Sequence, residues 1–311
     1  MGRQPRAVPR IKYRDLASEA TGESRAPHLA GFERRHSYPR SGRPEPVVVC
    51  GAPGVPLWTP EELVAKAGDL TVPVSLVNEE LGETRTEKRL MRVAEYVELL
   101  RSQIEERRCG QSGRSGGGGA FTPYAKQVAD LFEAMPELKE ELEFVMFDQR
   151  RTFVSEYLWI GAAGSVTGLH NDDEANFLMQ LHGRKHVLLY PPRDGPKLYT
   201  NSRYDKGTVC SSADPYASPA AEAWPLLAEA EPWQCVLAPG EQLFIPRFWW
   251  HRCECVGLDL SISCNGFGST AAELLREGSQ RTVRGLAHWL GWKQGNCVCC
   301  DPVNGVQTLS T

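Results

Sequence analysis

The chain of 311 residues reads as a mainly β protein with flanking helices. Three observations predict this. From residue 153 onward, short apolar runs are punctuated by Gly, Pro and Asn, the pattern of an all-β barrel or sandwich. Upstream of that point apolar residues recur at helical spacing, and beyond residue 270 they do so again. The length suits one large domain or two modest ones, and 41% hydrophobic residues supply an ordinary core.

Residues 1–45 carry Arg3, Arg6, Arg10, Lys12, Arg14, Arg25, Arg34, Arg35, Arg40 and Arg43 against few acids, and read as a basic, flexible tail. Contact with nucleic acid is the alternative, weakened by the absence of aromatic interleaving and of a clustered basic run. An N-terminal α/β segment is expected over residues 46–152. It opens with Val47, Val48 and Val49 as a short buried strand. Thr59-Pro60-Glu61-Glu62 is then a capping box with proline at the first helical position, and its helix stops at Gly68. Residues 71–77 read as a strand with Val72, Val74 and Leu76 on one face, placed at a sheet edge by Pro73. Val93, Tyr96, Val97, Leu100 and Ile104 mark one helical face. Residues 109–119, CGQSGRSGGGG, form a flexible surface loop, and residues 124–142 read as a helix broken at Pro136.

The β core is expected over residues 153–268, with strands at 156–160, 175–181, 185–190, 234–237, 242–245 and 258–264. His182-Gly183-Arg184 and Pro239-Gly240 supply hairpin turns. Residues 191–233 are an insertion of the length that makes a lid, a substrate-binding loop or a disordered segment. Residues 269–311 hold two helices, at 271–277 and 283–292, and a Cys-bearing tail. There is no internal repeat.

No apolar stretch is long enough to span a bilayer, and the N-terminus lacks the apolar core of a secretory signal. Arg6 breaks the myristoylation pattern that Met1-Gly2 begins. Ten cysteines without a signal peptide read as reduced thiols. A soluble protein of the cytoplasm, the nucleus or both is expected, with no membrane partner.

The chemistry centres on His170-Asn171-Asp172. Side chains two apart on a strand share a face, so one strand end presents an imidazole and a carboxylate together. By itself H-x-D is weak. His251 is the best third ligand, because it follows a strand and the rigid segment Ile245-Pro246-Arg247-Phe248-Trp249-Trp250. Two histidines and a carboxylate leave three open positions, the arrangement of non-heme iron oxygenases; zinc hydrolases favour a third histidine or a helical HExxH, which does not occur. His182 and His186 flank a turn, His28 and His36 lie in the tail, and His288 falls in a C-terminal helix.

Lys185 shares parity with Val187 and Leu189, so it points into the barrel, where a cation is expensive unless an anion pairs with it. Asn176 and Gln180 share a face on the preceding strand and could bond the same ligand. In the last strand Leu258, Leu260, Ile262 and Cys264 take one face. Asp259, Ser261, Ser263 and Asn265 take the other, which is either solvent-facing or part of the pocket lining.

The stretches WIGAAGSVTGLHNDDEANFLMQLHGRKHVLLYPP (159–192), LAPGEQLFIPRFWWH (237–251) and SISCNGF (261–267) resemble the JmjC branch of the cupin-fold oxygenases. Within it they are similar to the small hydroxylases related to the asparaginyl hydroxylase of hypoxia-inducible factor. With the upstream PVVVCGAPGVPLWTPEELVAKAGD, the likeness covers roughly half the chain. It implies a double-stranded β-helix (jelly-roll) core and an Fe(II)- and 2-oxoglutarate-dependent dioxygenase using dioxygen. His170, Asp172 and His251 would be the iron ligands. Thr167, Lys185 and Tyr124 would hold the distal carboxylate of 2-oxoglutarate, with Asn176 and Asn265 beside its chelating end. The implied reaction decarboxylates 2-oxoglutarate to succinate and oxidises a C–H bond. A protein or peptide hydroxylase is the leading expectation, a lysine demethylase the nearest alternative, and a catalytically inactive cupin-fold binding module the alternative from another class. The Gly-rich loop, the insertion and the Cys-bearing tail depart from the related hydroxylases, and those parts would choose the substrate.

Cys253, Cys255, Cys297, Cys299 and Cys300 offer a zinc site, but C-x-C and C-x-C-C do not match the usual knuckle spacing, and plain thiols are the default. Trp249 and Trp250 read as barrel-wall packing. Leu274, Leu275, Leu286, Trp289 and Leu290 would form either a homodimer interface, by likeness to the related hydroxylase, or intramolecular packing.

Overall fold

Among the described residues sixteen strands build two sheets. The structure, a computed structural model, describes residues 3–17, 32, 36, 43–52, 55–75, 88–109, 123–142, 151–205, 208–216, 220–270, 275 and 290. The expected Gly-rich loop, both C-terminal helices, the tail cysteines, and His28 and His288 lie essentially outside these residues. Among the described residues no helix is long and apolar enough to cross a membrane.

The seven-stranded sheet runs in the order β1 (Arg6–Ala7), β13 (Trp233–Leu237), β10 (Arg184–Tyr190), β15 (Trp250–Val256), β8 (Val166–Asp172), β12 (Thr208–Ser211), β11 (Thr200–Asp205). The nine-stranded sheet runs β2 (Arg10–Lys12), β3 (Val47–Cys50), β14 (Gln242–Ile245), β9 (Ala175–His182), β16 (Ser261–Thr270), β7 (Arg151–Gly161), β6 (Tyr124–Val128), β4 (Thr71–Ser75), β5 (Lys88–Arg92). Leu178, Val187, Leu189, Leu237, Leu243 and Ile245 fill the space between the sheets. The mainly β, jelly-roll expectation therefore holds.

The two expected hairpins do not form. Gly183 joins β9 to β10 and Pro239-Gly240 joins β13 to β14, yet each pair is divided between the two sheets. Gly183 and Gly240 take φ of 65° and 87°, so each turn is as tight as expected. The chain uses them to cross between layers, as a jelly roll requires.

Helices α2 (Pro60–Ala67) and α3 (Val93–Arg108) cover the outer face of the larger sheet. Thr59 caps α2 through a full capping box with Glu62, and Gly68 ends it. Val93, Tyr96, Val97, Leu100 and Ile104 are all buried against Leu158, Ile160, Met179 and Ile262. Burial of each large apolar side chain contributes roughly 1.5–3 kcal/mol.

Several sequence expectations need correction. Residues 124–128 are β6 and not helix; only α4 (Asp130–Ala134) and α5 (Pro136–Glu140), divided at Pro136, match the helical reading. Strand β4 has neighbours on both sides, with β5 at the edge, but its pairing with β6 covers only Val74 and Ser75, which spares Pro73. The last strand starts at Ser261, and Leu258 is exposed on the turn before it. The insertion 191–233 carries β11, β12 and helix α6 (Ala220–Ala223), so much of it is ordered structure.

The N-terminal tail is not free over residues 3–17. Strand β1 adds to one sheet and β2 to the other, both parallel, with α1 (Tyr13–Ala17) following. Its arginines are occupied internally: Arg3 pairs with Glu231 at 3.1 Å, Arg6 lies 4.5 Å over the Trp233 ring, and Arg10 binds Glu241 and the Val236 carbonyl. The segment straps the two sheets together along one side.

Tyr96 links α3 to the strands. Its buried hydroxyl lies 2.7 Å from Ile160 O and 3.0 Å from Pro123 O, and accepts from Ala125 N at 3.1 Å. Tyr96→Phe would leave the Ala125 N–H and the Ile160 carbonyl without this partner. Unfolding free energy should fall by about 1–3 kcal/mol, read as a lower urea midpoint at unchanged m-value; an unaltered midpoint would contradict this.

Candidate metal centre

Antiparallel pairing of β15 with β8 sets His251 directly opposite His170. Asp172 follows two residues along β8, on the same face as His170. The three ligand atoms lie within 4.8 Å of one another, the only such trio of His, Cys, Asp or Glu among the described residues. Asp172 Oδ2 is 3.5 Å from His251 Nε2 and 3.9 Å from His170 Nε2, and the ring centroids are 4.1 Å apart. These separations suit three donors converging on one divalent ion at about 2 Å each.

Backbone carbonyls orient both imidazoles. His170 Nδ1 lies 2.7 Å from Gly168 O, and His251 Nδ1 lies 3.1 Å from Trp249 O. A carbonyl only accepts, so each Nδ1 carries a proton and each Nε2 is the ring nitrogen turned toward Asp172. Burial first, then the neighbouring His170, lowers the His251 pKa to about 4, against an opposing pull from Asp172. His251 is thus neutral and able to ligate at pH 7.

Thr167 reaches this face through an irregularity. The register steps from His251↔His170 to Cys253↔Thr167, three residues along β8 against two along β15. That β-bulge cancels the odd spacing, which in a regular strand would turn Thr167 to the opposite side. Parity alone misses this, and only the Gly168 in the middle hints at it.

Beyond the triad lies a polar chamber. Lys185 is 1% exposed, donates to Ser263 Oγ and sits 5.9 Å over the Trp159 ring. Among the described residues no carboxylate pairs with it. Trp159 Nε1 donates to Asn265 Oδ1 at 2.7 Å. Tyr124 is buried with Trp159 and Cys255, beside Thr167. Burial, then the Cys255 and Cys253 thiols, raises the Tyr124 pKa well above its ordinary value, so it remains a neutral donor. Thr167 Oγ1 and Asn176 Oδ1 are buried without a hydrogen bond of good geometry. Cys253 lies within electrostatic reach of both Lys185 and Asp172, joining the two ends of the chamber, and burial pushes its thiol up to about 11.

Of the sequence-selected residues, His170, Asp172, His251, Thr167, Lys185, Asn176, Asn265 and Tyr124 all fall on the facing inner surfaces of the two sheets. Ser261, Ser263 and Asn265 are buried, so the polar face of the last strand lines the interior. Gln180 shares the inward face of Asn176; its amide nitrogen is held by Ser261 Oγ at 2.9 Å and by the His182 carbonyl, while its Oε1 is buried without a hydrogen bond of good geometry. His182 pairs with Asp259 at 3.2 Å and His186 with Gln234 at 3.3 Å, away from the triad. Cys253 and Cys255 are buried free thiols on β15, and Trp249 and Trp250 are buried wall residues. Of the neighbours of the lysine head, Ser263 lies on the polar face that alternation offered as pocket lining, whereas Trp159 carries no signal that identifies it from spacing.

Two outcomes follow. Asp172→Ala should abolish stoichiometric binding of a divalent ion, measured by metal analysis after gel filtration; retained metal would contradict the assignment. In the metal-free protein the lowered His251 pKa means the folded chain binds fewer protons than the unfolded one between about pH 4 and the ordinary imidazole value of 6.5. Stability should therefore fall as pH drops through that window, and His251→Gln should flatten the slope in urea titrations.

A family model described as a cupin-like domain matches residues 40–267. The chain is 30% identical over 270 residues to lysine-specific demethylase 8 of Xenopus tropicalis, covering 82% of this chain and 55% of that one. It is 38% identical over 127 residues to tRNA wybutosine-synthesizing protein 5 of Gallus gallus, covering 41% and 38% respectively. It is 32% identical over 182 residues to HSPB1-associated protein 1 of Homo sapiens, covering 55% and 37%. The chain thus spans about half, or less, of the length of these curated relatives. With its jelly-roll sheets and His-Asp-His triad, the chain belongs to the cupin-like domain family, in the JmjC oxygenase group that its sequence resembles.

Proposed function

We propose that the chain is an Fe(II)- and 2-oxoglutarate-dependent dioxygenase that hydroxylates a protein or peptide. Lys185 carries this reading. A cation 1% exposed, with a serine hydroxyl and an indole face as its described partners, is costly unless an anion completes the site. Lys185 shares a chamber with the His-Asp-His triad. A dicarboxylate that chelates the metal at one end and meets Lys185 at the other satisfies both.

His170 and His251 through Nε2, and Asp172 through its carboxylate, would hold the iron, leaving positions for a chelating cosubstrate and dioxygen. Lys185 Nζ, Thr167 Oγ1 and Tyr124 Oη would hold the distal carboxylate, and Asn176 and Asn265 would face its chelating end. When bound, iron and 2-oxoglutarate supply oxidative decarboxylation to succinate and carbon dioxide coupled to oxidation of a substrate C–H bond. The chain supplies fixed geometry, with each imidazole locked by a carbonyl, and a water-poor interior walled by Trp159 and Trp249.

Peptide rather than nucleic acid is favoured because Arg3, Arg6 and Arg10, part of the basic tail, are occupied internally. Demethylation is the second reading, favoured by the likeness to a lysine-specific demethylase over 82% of this chain. The two separate by product: a gain of one oxygen atom on the peptide for hydroxylation, release of formaldehyde for demethylation.

Anaerobic loading with Fe(II) and 2-oxoglutarate should give a metal-to-ligand absorption band, and admission of oxygen should give succinate. Lys185→Met should bind metal as the wild type does while weakening 2-oxoglutarate by tenfold or more, since a hydrogen bond to a charged group contributes roughly 1.5–3 kcal/mol. Absence of both band and succinate in the wild type would leave an inactive binding module. Unchanged 2-oxoglutarate affinity in Lys185→Met would remove the lysine from the site.

A further inference from the structure

One short turn touches two of the three ligands. Residues 246–249 join β14 to β15, and Trp249 N donates to Pro246 O at 3.2 Å, closing a four-residue turn. Its third residue, Phe248, has φ +64°, whereas Arg247 does not have positive φ. That pattern is a type II turn, whose third position ordinarily asks for glycine or asparagine. A bulky side chain there strains the backbone, because its Cβ crowds the following carbonyl oxygen.

The strained geometry has a visible result. In a type II turn the central peptide is flipped relative to type I, which aims the N–H of the third residue out of the turn. Phe248 N here donates to Asp172 O at 2.8 Å. The next carbonyl, Trp249 O, is the acceptor that orients His251. A single turn therefore fastens the backbone of one ligand and the ring of another, 79 residues apart in sequence.

We infer that Phe248 is a positioning residue, and that its left-handed backbone holds Asp172 and His251 in register for the metal. The side chain is 46% exposed, with the Arg247 guanidinium 5.0 Å over its ring, so substitutions there disturb little core packing and report on the backbone. This rests on the metal-centre reading proposed above.

Cobalt(II) titration of the full chain, with its visible d–d spectrum, separates the two claims. Wild-type binding that Asp172→Ala abolishes supports the metal centre, and failure of the wild type to bind overturns it. The turn is tested by differences among Phe248 variants. Phe248→Gly and Phe248→Asn tolerate positive φ and should keep the wild-type affinity and spectrum. Phe248→Val cannot adopt that φ without severe strain, and should weaken cobalt by tenfold or more with an altered spectrum, the usual size of an outer-shell defect. Independently of cobalt and of whether the valine variant folds, metal-free Phe248→Gly should melt at a higher temperature than the wild type, because strain is released. Wild-type cobalt binding by Phe248→Val, equal weakening by the glycine and valine variants, or a lower melting temperature for Phe248→Gly would each overturn the inference.

Discussion

Hydrogen bonding between β15 and β8 sets everything else at the centre of this molecule. It places His251 across from His170. A slip of one residue would turn every side chain of either strand to the wrong face. The bulge beside that pair is equally consequential, because it lets Thr167, His170 and Asp172 share one surface despite their spacing. Carbonyls of Gly168 and Trp249 then choose the tautomer of each imidazole. Geometry, tautomer and ligand spacing thus descend from one strand pairing and its irregularity.

Around this pairing the larger sheet acts as the facing wall. Its inner positions alternate with outer ones that pack on α2 and α3, so the helices that bury Leu158, Ile160, Met179 and Ile262 also fix where Trp159, Ser261 and Ser263 point. Lys185 enters from the opposite sheet and meets that wall at Ser263 and Trp159. Burying an ammonium group without a counter-charge opposes folding by several kcal/mol, an expense the fold has to absorb elsewhere. The proposed carboxylate partner would account for why such a group sits in a barrel interior.

The sequence made the layout legible wherever a local rule decides. The capping box at Thr59, the helical face from Val93 to Ile104 and the inward parity of Lys185 are local, and all appear in the structure. Readings that depended on distant partners fared worse. Gly183 and Pro239-Gly240 look like hairpin turns because a tight turn has the same residues whether its strands pair or part. Residues 124–128 carry no pattern that separates a short strand from a helix, and pairing with β4 and β7 decides it. The arginines of the tail looked free because Glu231, Trp233 and Glu241 are more than 200 residues away. At the site, H-x-D was readable but weak; Thr167 and Tyr124 came only from family likeness, since a bulge and a mispredicted strand concealed their facing. The turn at Phe248 broke a local rule, and such breaks are where function is expected to override propensity.

The central claim is that one chamber binds a metal at the triad and a carboxylate at Lys185. A crystal structure of the protein with Mn(II) and the unreactive 2-oxoglutarate analogue N-oxalylglycine, with anomalous scattering from the metal, tests it most directly. The account predicts one manganese peak bonded to His170 Nε2, Asp172 and His251 Nε2, with the distal carboxylate of the analogue on Lys185 Nζ. Manganese bound elsewhere, or an analogue whose distal carboxylate does not meet Lys185, would contradict it.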